Sequence, residues 1–244
     1  MIPKSQLISL SAVSGMGPRR IRTLFRKYPE LDDISCLSKS DMKQVDGISG
    51  DLAGKIQNID LDIGKQAADK TAAMGARYLT YWDPEYPEML KMIYDAPVGI
   101  FILGEIPQLP CMSIVGTHQP TAYGKKMTVT LTTALIKAGF CIVSGFARGI
   151  DTLAHRTVQK FKGSTIAVLG NGLDVCYPVE NQKLLNLLKE NGAFISEFIP
   201  GTKPDAVNFP KRNRIISGLS KGVLVIEGGK ERRHYYSPQC PVSK

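Results

Sequence analysis

The sequence is poor in the residue types that build metal centres and disulfide frameworks. Its 244 residues include three histidines and five cysteines, and the cysteines lie apart at positions 36, 111, 141, 176 and 240. An odd number of isolated cysteines argues against a disulfide scaffold and against a zinc site. Unpaired cysteines are typical of a reducing compartment, so we expect a cytoplasmic protein without a bound metal.

Long apolar runs and low-complexity tracts are also absent. No stretch approaches the roughly 20 apolar residues of a membrane-spanning helix, and the first residues make a poor signal peptide because serines interrupt their apolar run. With 43% hydrophobic residues, disorder is excluded as the main state. Positive charge is in excess: 31 basic against 22 acidic residues give a net charge of +9. This surplus permits a polyanionic partner and does not by itself identify one.

Residues 1–72 contain an internal repeat. Each copy has apolar residues three and four positions apart on both sides of a short turn that contains glycine, Gly15 in the first and Gly47 in the second. This spacing indicates two helices joined by a tight hairpin. The repeat therefore predicts a small all-α domain of two helix-hairpin-helix motifs, of the SAM-like kind.

Two interpretations of the hairpins remain open. The start of a hairpin's second helix points backbone N–H groups outward, which suits a phosphate. A secondary contact to DNA would use the glycines and arginines of the first copy: Gly15, Gly17, Arg19 and Arg20. Alternatively, the hairpins form a folding unit or a protein-docking module. We favour the second interpretation for the second copy, where Asp46 and Asp51 flank the turn.

Residues 73–110 are predicted to be a connector punctuated by proline. Two apolar runs in it, 78–82 and 99–104, are expected to form edge strands of the sheet that follows. Trp82 and the neighbouring tyrosines could stack on bases. We favour the alternative that they join two domains.

From residue 111 the pattern changes to apolar strands that alternate with helical segments. The predicted strands are 111–115, 140–144, 165–170, 193–198 and 222–228, and the predicted helices lie near 124–138, 151–161, 180–190 and 212–219. Buried strands alternating with helices predict an α/β fold, a Rossmann-like, doubly wound, mostly parallel sheet over residues 111–230. Residues 231–244 lack apolar periodicity and are expected to be a disordered tail.

Ligands of open parallel sheets bind at the carboxyl ends of the strands, so the residues that follow each strand are the candidates for a site. After the first two strands these are Gly116, Thr117, His118, Ser144, Gly145, Arg148 and Gly149; before the last strand they are Phe209, Lys211, Arg212, Asn213 and Arg214. Cations at the rim of a crevice beside an aromatic ring suit a single nucleic-acid strand. The alternative for residues 211–214 is a solvated helix start capped by Asn213.

Other chemistries fit the sequence less well. Gly170 and Gly172 form a G-x-G turn without the third glycine of a dinucleotide site, and both the P-loop motif and the G-x-S-x-G motif are absent. The second hypothesis is a Rossmann-type enzyme or binder for a small nucleotide or phosphosugar. Its proton-transfer residues would be Asp151, His155 or Glu197. We expect Asp151 to be an N-cap or first-turn acid and His155 to be a packing residue.

Several motifs in sequence order resemble the DNA-processing protein A family, also called DprA or Smf. They are VGTHQPTAYG, SGFARGIDTLAH, TIAVLGNGLDVCYPVEN, ISEF and NFPKRNRIISGLS. The resemblance implies a recombination mediator of natural transformation. Such a protein binds single-stranded DNA, forms a homodimer, displaces single-strand-binding protein and helps to load RecA. It also implies no catalysis and no nucleotide cofactor.

Carried over by motif, the family's DNA pocket falls on Gly116 and Thr117, the loop 144–151, and four residues near the last helix: Phe209, Arg212, Asn213 and Arg214. His118 stands where family members commonly have an arginine. Since a neutral imidazole is a weaker phosphate ligand, affinity is expected to be reduced or to shift onto Arg148 and Lys211. After Glu227 the sequence departs from the family pattern and resembles a truncated or frameshifted end.

Overall fold

The computed structural model describes residues 2–188 and 191–228 of the chain. Helices come first: α1 Lys4–Ala12, α2 Pro18–Lys27, α3 Lys39–Lys43, α4 Gly50–Gln57 and α5 Leu61–Ala73. The two predicted hairpins are the pairs α1–α2 and α3–α4. Their turns contain Gly15 at φ 96° and Gly47 at φ 82°, a left-handed conformation that glycine adopts without steric cost.

Helix α5 packs closely against α1 through Gly64. Its backbone N–H donates to Ser9 Oγ at 2.9 Å, and a Cβ on Gly64 would lie 1.8 Å from the carbonyl oxygen of Ser5. This close approach places a backbone atom of α1 in the space that any side chain would need. The position therefore requires glycine for packing, although it lies inside a helix.

We expect Gly64→Ala to lower the free energy of unfolding by about 2 kcal/mol, because α1 and α5 must move apart. Urea unfolding followed by circular dichroism measures the change. Gly54→Ala is the matched control, since a Cβ there has only Lys39 Nζ nearby, at 3.7 Å, and helix propensity favours alanine by up to about 1 kcal/mol. Equal stability of the two variants would contradict the packing argument.

The seven strands form one mixed sheet in the order β1-β2-β6-β5-β4-β3-β7. The strands are β1 Arg77–Thr80, β2 Gly99–Gly104, β3 Cys111–Gly116, β4 Cys141–Ser144, β5 Thr165–Leu169, β6 Gly192–Ser196 and β7 Val223–Ile226. The pairs β1–β2 and β2–β6 are antiparallel, and the other four pairs are parallel. The predicted Rossmann-like, mostly parallel sheet is confirmed.

One strand prediction was wrong. The run 99–104 is not an edge strand, because β2 lies between β1 and β6. Ile100, Phe101 and Ile102 are all buried, with Ile100 and Ile102 in one apolar cluster and Phe101 in another. A strand covered on both faces reads as a continuous apolar run. The run 78–82 overlaps an edge strand, β1.

Helices cover both faces of the sheet. The remaining helices are α6 Glu88–Lys91, α7 Ala122–Lys137, α8 Ile150–Lys160, α9 Gln182–Leu188 and α10 Asn208–Gly218. Ile150 of α8 packs on Ile114 and Ile142 of the sheet, whereas Ile215 of α10 belongs to the cluster on the other face. In the part of the chain that the structure describes, no helix has both the length and the apolarity to cross a membrane.

The domain limits at residues 72 and 110 remain predictions. The predicted tail, 231–244, and Cys240 lie outside the described residues. The other four cysteines are free.

Candidate functional site

The carboxyl ends of β3 and β4 open into a crevice with two lobes. The aromatic lobe has a volume of about 360 Å³ and includes Tyr177 and Phe209 in its lining. The basic lobe has a volume of about 620 Å³ and includes Lys125 and Arg156. Arg148 lines both lobes, as does His118. The predicted location of the site, beyond the ends of two parallel strands, is thus occupied by a crevice.

Tight backbone packing positions the two loops that carry these residues. A Cβ on Gly116 would lie 2.1 Å from the carbonyl oxygen of Ile226, and one on Gly149 would lie 2.3 Å from that of Thr117. The same Thr117 carbonyl accepts a hydrogen bond from Ile150 N at 3.1 Å, at the start of α8. The loop after β3 therefore rests on the loop after β4, which holds His118 and Arg148 side by side.

Arg148 joins the charged and the aromatic parts of the crevice. Its Nε donates to Glu180 Oε1 at 2.5 Å and its Nη2 to Oε2 at 3.2 Å, and these bonds lower the pKa of the Glu180 carboxyl. Its Cζ lies 5.9 Å from the centre of the Tyr177 ring, and that ring lies 5.7 Å from the Phe209 ring. Both members of the ion pair are about half exposed, so the guanidinium stays accessible to an anion.

Ser144 and Gly145 lie beneath the crevice rather than in it. Ser144 is fully buried, and its hydroxyl donates to the carbonyl of Ile114 at 2.6 Å. Gly145 is buried as well, and its carbonyl accepts from Arg212 at 2.6 Å. The expectation that these two residues contact a ligand is corrected, because both are used to hold neighbouring elements together.

The prediction of three cations at the rim, residues 211–214, is corrected: of the three, only Arg212 lines the crevice, and it is buried. Helix α10 begins at Asn208, with Pro210 in its first turn, so these residues lie inside the helix. Lys211 and Arg214 are three positions apart and share one face, whereas Arg212 points elsewhere. Arg212 is 3% exposed and donates to the carbonyls of Gly145 and Val168. Asn213 is buried and does not cap the helix.

The other two cations of this run also differ from expectation. Arg214 forms ion pairs with Asp95 at 2.8 Å and with Glu197 at 2.7 Å. Lys211 is exposed and lines a separate cavity of about 570 Å³ between the sheet and the helical part of the chain, helices α1–α5. Neither side chain lines the crevice.

Two buried titratable groups lie close to the floor of the crevice. Asp151, in the first turn of α8 as predicted, is buried, and this desolvation raises its pKa to about 6 although Arg212 opposes the shift. His155 is fully buried, its Nδ1 lies 2.9 Å from Thr165 Oγ1, and burial lowers its pKa to about 3.

These positions bear on the proton-transfer hypothesis. His155 is the packing residue that the sequence favours. Neither it nor Glu197 lines a lobe of the crevice. Burial raises the pKa of Glu197, against the opposing charge of Arg214. Among the described residues no group of three histidine, cysteine or acidic side chains is placed to hold a metal ion.

Two cations of the crevice were missed by the sequence reasoning as site residues: Lys125 and Arg156. Lys125 lies in the first turn of α7, and Arg156 lies in the second turn of α8. Both helices begin at the carboxyl ends of strands, so cations in their first two turns face the same edge of the sheet. A cation in the first two turns of a helix that follows a strand was therefore the sequence signal that could have identified Lys125 and Arg156. Tyr177, in the loop after β5, also lines the crevice.

The first helical hairpin uses its arginines internally. Arg20 donates from Nε to the carbonyl of Gly47 and from Nη1 to that of Gly15, both at 2.7 Å, and so ties the two hairpin turns together. Arg19 stacks on Tyr94, with Cζ 4.2 Å from the ring centre. A Cβ on Gly17 would meet no atom within 4 Å. These contacts favour the packing interpretation over a DNA contact.

Trp82 lies at the junction of the helical part and the sheet. Its ring centre lies 5.1 Å from that of Phe25 in α2, in an edge-on arrangement. Arg22 of the same helix donates to the connector carbonyls of Ala96 at 3.0 Å and Tyr94 at 2.6 Å. The favoured role of Trp82 in joining two parts of the chain agrees with these contacts.

Comparison with known proteins gives one consistent result. The family model for DNA recombination-mediator protein A matches residues 77–232. Protein Smf of Synechocystis is 37% identical over 227 residues, which are 90% of this chain and 57% of that protein. DNA processing protein DprA of Bacillus subtilis is 45% identical over 147 residues, 59% of this chain and 50% of that protein. The chain thus spans about half the length of these relatives.

Two solved structures are similar to the fold. The X-ray structure of DprA from Streptococcus pneumoniae has a TM-score of 0.81 at 31% identity and covers 94% of this chain and 80% of its own. A structure of DNA processing protein A from Helicobacter pylori, described for its single-stranded DNA binding mode, has a TM-score of 0.54 at 31% identity. It covers 61% of this chain and 68% of its own.

Proposed function

The chain belongs to the DNA recombination-mediator protein A family, and from this premise we propose that it binds single-stranded DNA in the crevice beyond β3 and β4. The observation that carries the proposal is the position of Arg148. It lies between a lobe with further cations and a lobe with a pair of aromatic rings. A flexible strand offers phosphates and unstacked bases together, and this combination of groups binds both.

Each lobe has a distinct role in the proposal. Lys125, Arg148 and Arg156 hold phosphates in the basic lobe, where arginine can bind two phosphate oxygens at once. Tyr177 and Phe209 provide faces for bases in the aromatic lobe. Both types of contact tolerate any sequence, so we expect little sequence preference.

Other residues of the predicted site contribute around these contacts. His118 donates a hydrogen bond to a phosphate, as a weaker substitute for a cation. Thr117 and the glycines Gly116 and Gly149 bring the protein backbone close to the DNA strand. Arg212 and Asn213 shape the aromatic lobe from below.

We further propose that the protein acts without catalysis, as a cytoplasmic mediator that helps RecA to replace single-strand-binding protein and protects incoming DNA during natural transformation. Family membership supports this role and the expectation of a homodimer. A strand-exchange assay with RecA on coated single strands tests it: stimulation by this protein is expected, and an unchanged rate would overturn the mediator role.

The DNA site is tested by removing two cations, Lys125 in the first turn of α7 and Arg148 in the loop after β4. We expect Lys125→Ala combined with Arg148→Ala to weaken binding of oligo-dT by about 20-fold and to flatten the dependence of log affinity on log salt by about 0.7 for each cation removed. The physical reason is that fewer counterions are released, while Glu180 loses its partner and repels the strand. Fluorescence anisotropy of labelled oligo-dT measures both quantities.

The control for Lys125 removes one positive charge from the opposite end of α7. Lys137 is exposed in the last turn of α7, so Lys137→Ala should leave the affinity within about twofold, as expected for a charge remote from the site. If Lys137→Ala weakened binding as much as Lys125→Ala alone, the positive charge would act non-specifically and the crevice assignment would fail.

A further inference from the structure

A second cavity with cations and aromatic rings lies between α2 and the connector, apart from the crevice. Its volume is about 340 Å³, and its lining includes Arg22, Arg26, Lys91, Phe25, Tyr81 and Trp82. None of its lining residues within the described chain is a carboxylate. The volume falls within the range of about 300–1,000 Å³ for small-ligand pockets. Its composition indicates an anionic ligand with a flat apolar part.

The cations differ in how they are held. Arg26 is exposed and has no hydrogen-bond or ion-pair partner among the described residues. Lys91 pairs with Glu88 at 3.2 Å, but that carboxylate side chain is 80% exposed, and such surface pairs are weak enough to exchange for another anion. Arg22 is fixed by the carbonyls of Tyr94 and Ala96. Two cations are therefore available to a phosphate, and a third adds its charge.

The aromatic rings are held rigidly by one another. Trp82 is partly exposed and packs edge-on with Phe25 at 5.1 Å and with Tyr81 at 5.6 Å. Arg22 Cζ lies 5.2 Å from the centre of the Tyr81 ring. Rings fixed in this way lose little conformational freedom when a base stacks on them.

We propose that this cavity binds one nucleotide, with the base against Trp82 and Tyr81 and the phosphate between Arg26 and Lys91. The nucleotide belongs to the same strand that the crevice holds, so this inference rests on the proposed function for the source of its ligand. A free nucleotide has the same chemistry, and the experiment distinguishes the two. The helical part then extends the path of the DNA strand beyond the β-sheet.

Trp82 is the only tryptophan of the chain, so its fluorescence reports on this cavity. The full-length protein is titrated with oligo-dT and, separately, with dTMP, with excitation selective for indole. Anisotropy of labelled oligo-dT records total strand binding in parallel. We expect oligo-dT to quench Trp82 at the same concentrations at which anisotropy rises, and dTMP to quench it only at far higher concentrations.

The variants test which charges are responsible. Arg26→Ala combined with Lys91→Ala should weaken oligo-dT binding three- to tenfold and reduce the quenching of Trp82 at matched occupancy of the strand site. Lys55→Ala is the matched control, because Lys55 is an exposed cation of the same helical part that does not line the cavity. It should change neither quantity.

The outcomes separate this inference from the proposed function. If oligo-dT binds but neither ligand affects Trp82, and the double variant binds normally, the cavity is not a nucleotide site and the crevice assignment stands. If no strand binds but dTMP quenches Trp82 in a manner lost in the double variant, the proposed function fails and the cavity is a site for free nucleotides. If Lys55→Ala has the same effect as the double variant, the inference is overturned.

Discussion

Arg212→Met is expected to lower the free energy of unfolding by about 3–5 kcal/mol, the range for removing one partner from a buried, hydrogen-bonded charge network. The guanidinium is buried between α10 and the sheet, where Nη1 donates to the carbonyls of Gly145 and Val168. Methionine retains the apolar stem of the side chain but leaves both carbonyls without this donor. It also removes the positive charge that opposes the rise in the pKa of Asp151.

Urea unfolding at neutral pH measures the effect, and binding of oligo-dT is measured on the folded fraction. Arg148→Ala is the comparison, because its exposed ion pair with Glu180 should contribute less than about 1 kcal/mol to stability. The two variants should therefore differ in their main effect: Arg212→Met lowers mainly the free energy of unfolding, and Arg148→Ala lowers mainly the affinity for DNA. A stable Arg212→Met variant that has lost its affinity for oligo-dT would contradict this structural role and indicate that Arg212 binds phosphate directly.

The arrangement of the sheet was predictable because its strands are buried on both faces. The run 165–170 is apolar after Thr165, and the observed strand, Thr165–Leu169, is completely buried. The location of the crevice followed from the same pattern, since parallel strands place their carboxyl ends at one edge. Glycines at 116 and 149 were also informative, because both are required by close backbone contacts.

The roles of individual cations were not predictable in the same way. Arg212 reaches carbonyls 67 and 44 positions away in the sequence, and no local pattern records such partners. On a helix Lys211 and Arg214 share a face while Arg212 points away from them, so the cluster in sequence does not form one cluster at the crevice. Conversely, Lys125 and Arg156 are far apart in sequence and line one lobe.

The arginines of the first hairpin illustrate the same limit. Glycine followed by arginines is compatible with phosphate binding and with packing, and the sequence leaves both open. For Arg20 the structure favours packing, because this side chain donates to the carbonyl of Gly47 in the second hairpin, 27 residues away. The repeat thus predicts each hairpin, whereas the contact between the two depends on tertiary structure.

The second large effect concerns acid stability and depends on His155. Its Nδ1 lies 2.9 Å from Thr165 Oγ1, and Thr165 uses its own proton to donate to the carbonyl of Ile142 at 2.7 Å. The histidine must therefore donate from Nδ1, which leaves Nε2 unprotonated, buried and without a hydrogen-bond partner among the described residues. A second proton on the ring would place a charge in an apolar site, beside Phe146 and near the positive charge of Arg212.

Because the folded-state pKa of His155, about 3, lies below the ordinary value of 6.5, the unfolded chain takes up the proton first as the pH falls. Stability from this group is complete above pH 6.5 and is lost between that value and about 3.

His155→Asn keeps a donor for Thr165 but cannot titrate. Comparing urea unfolding of the two proteins at pH 7 and at about pH 4.5, we expect the parent to lose about 3 kcal/mol more than the variant. Asp151 titrates in both proteins with the opposite sign, since burial raises its pKa, and it cancels in the comparison. Parallel pH profiles would show that His155 can be protonated without cost.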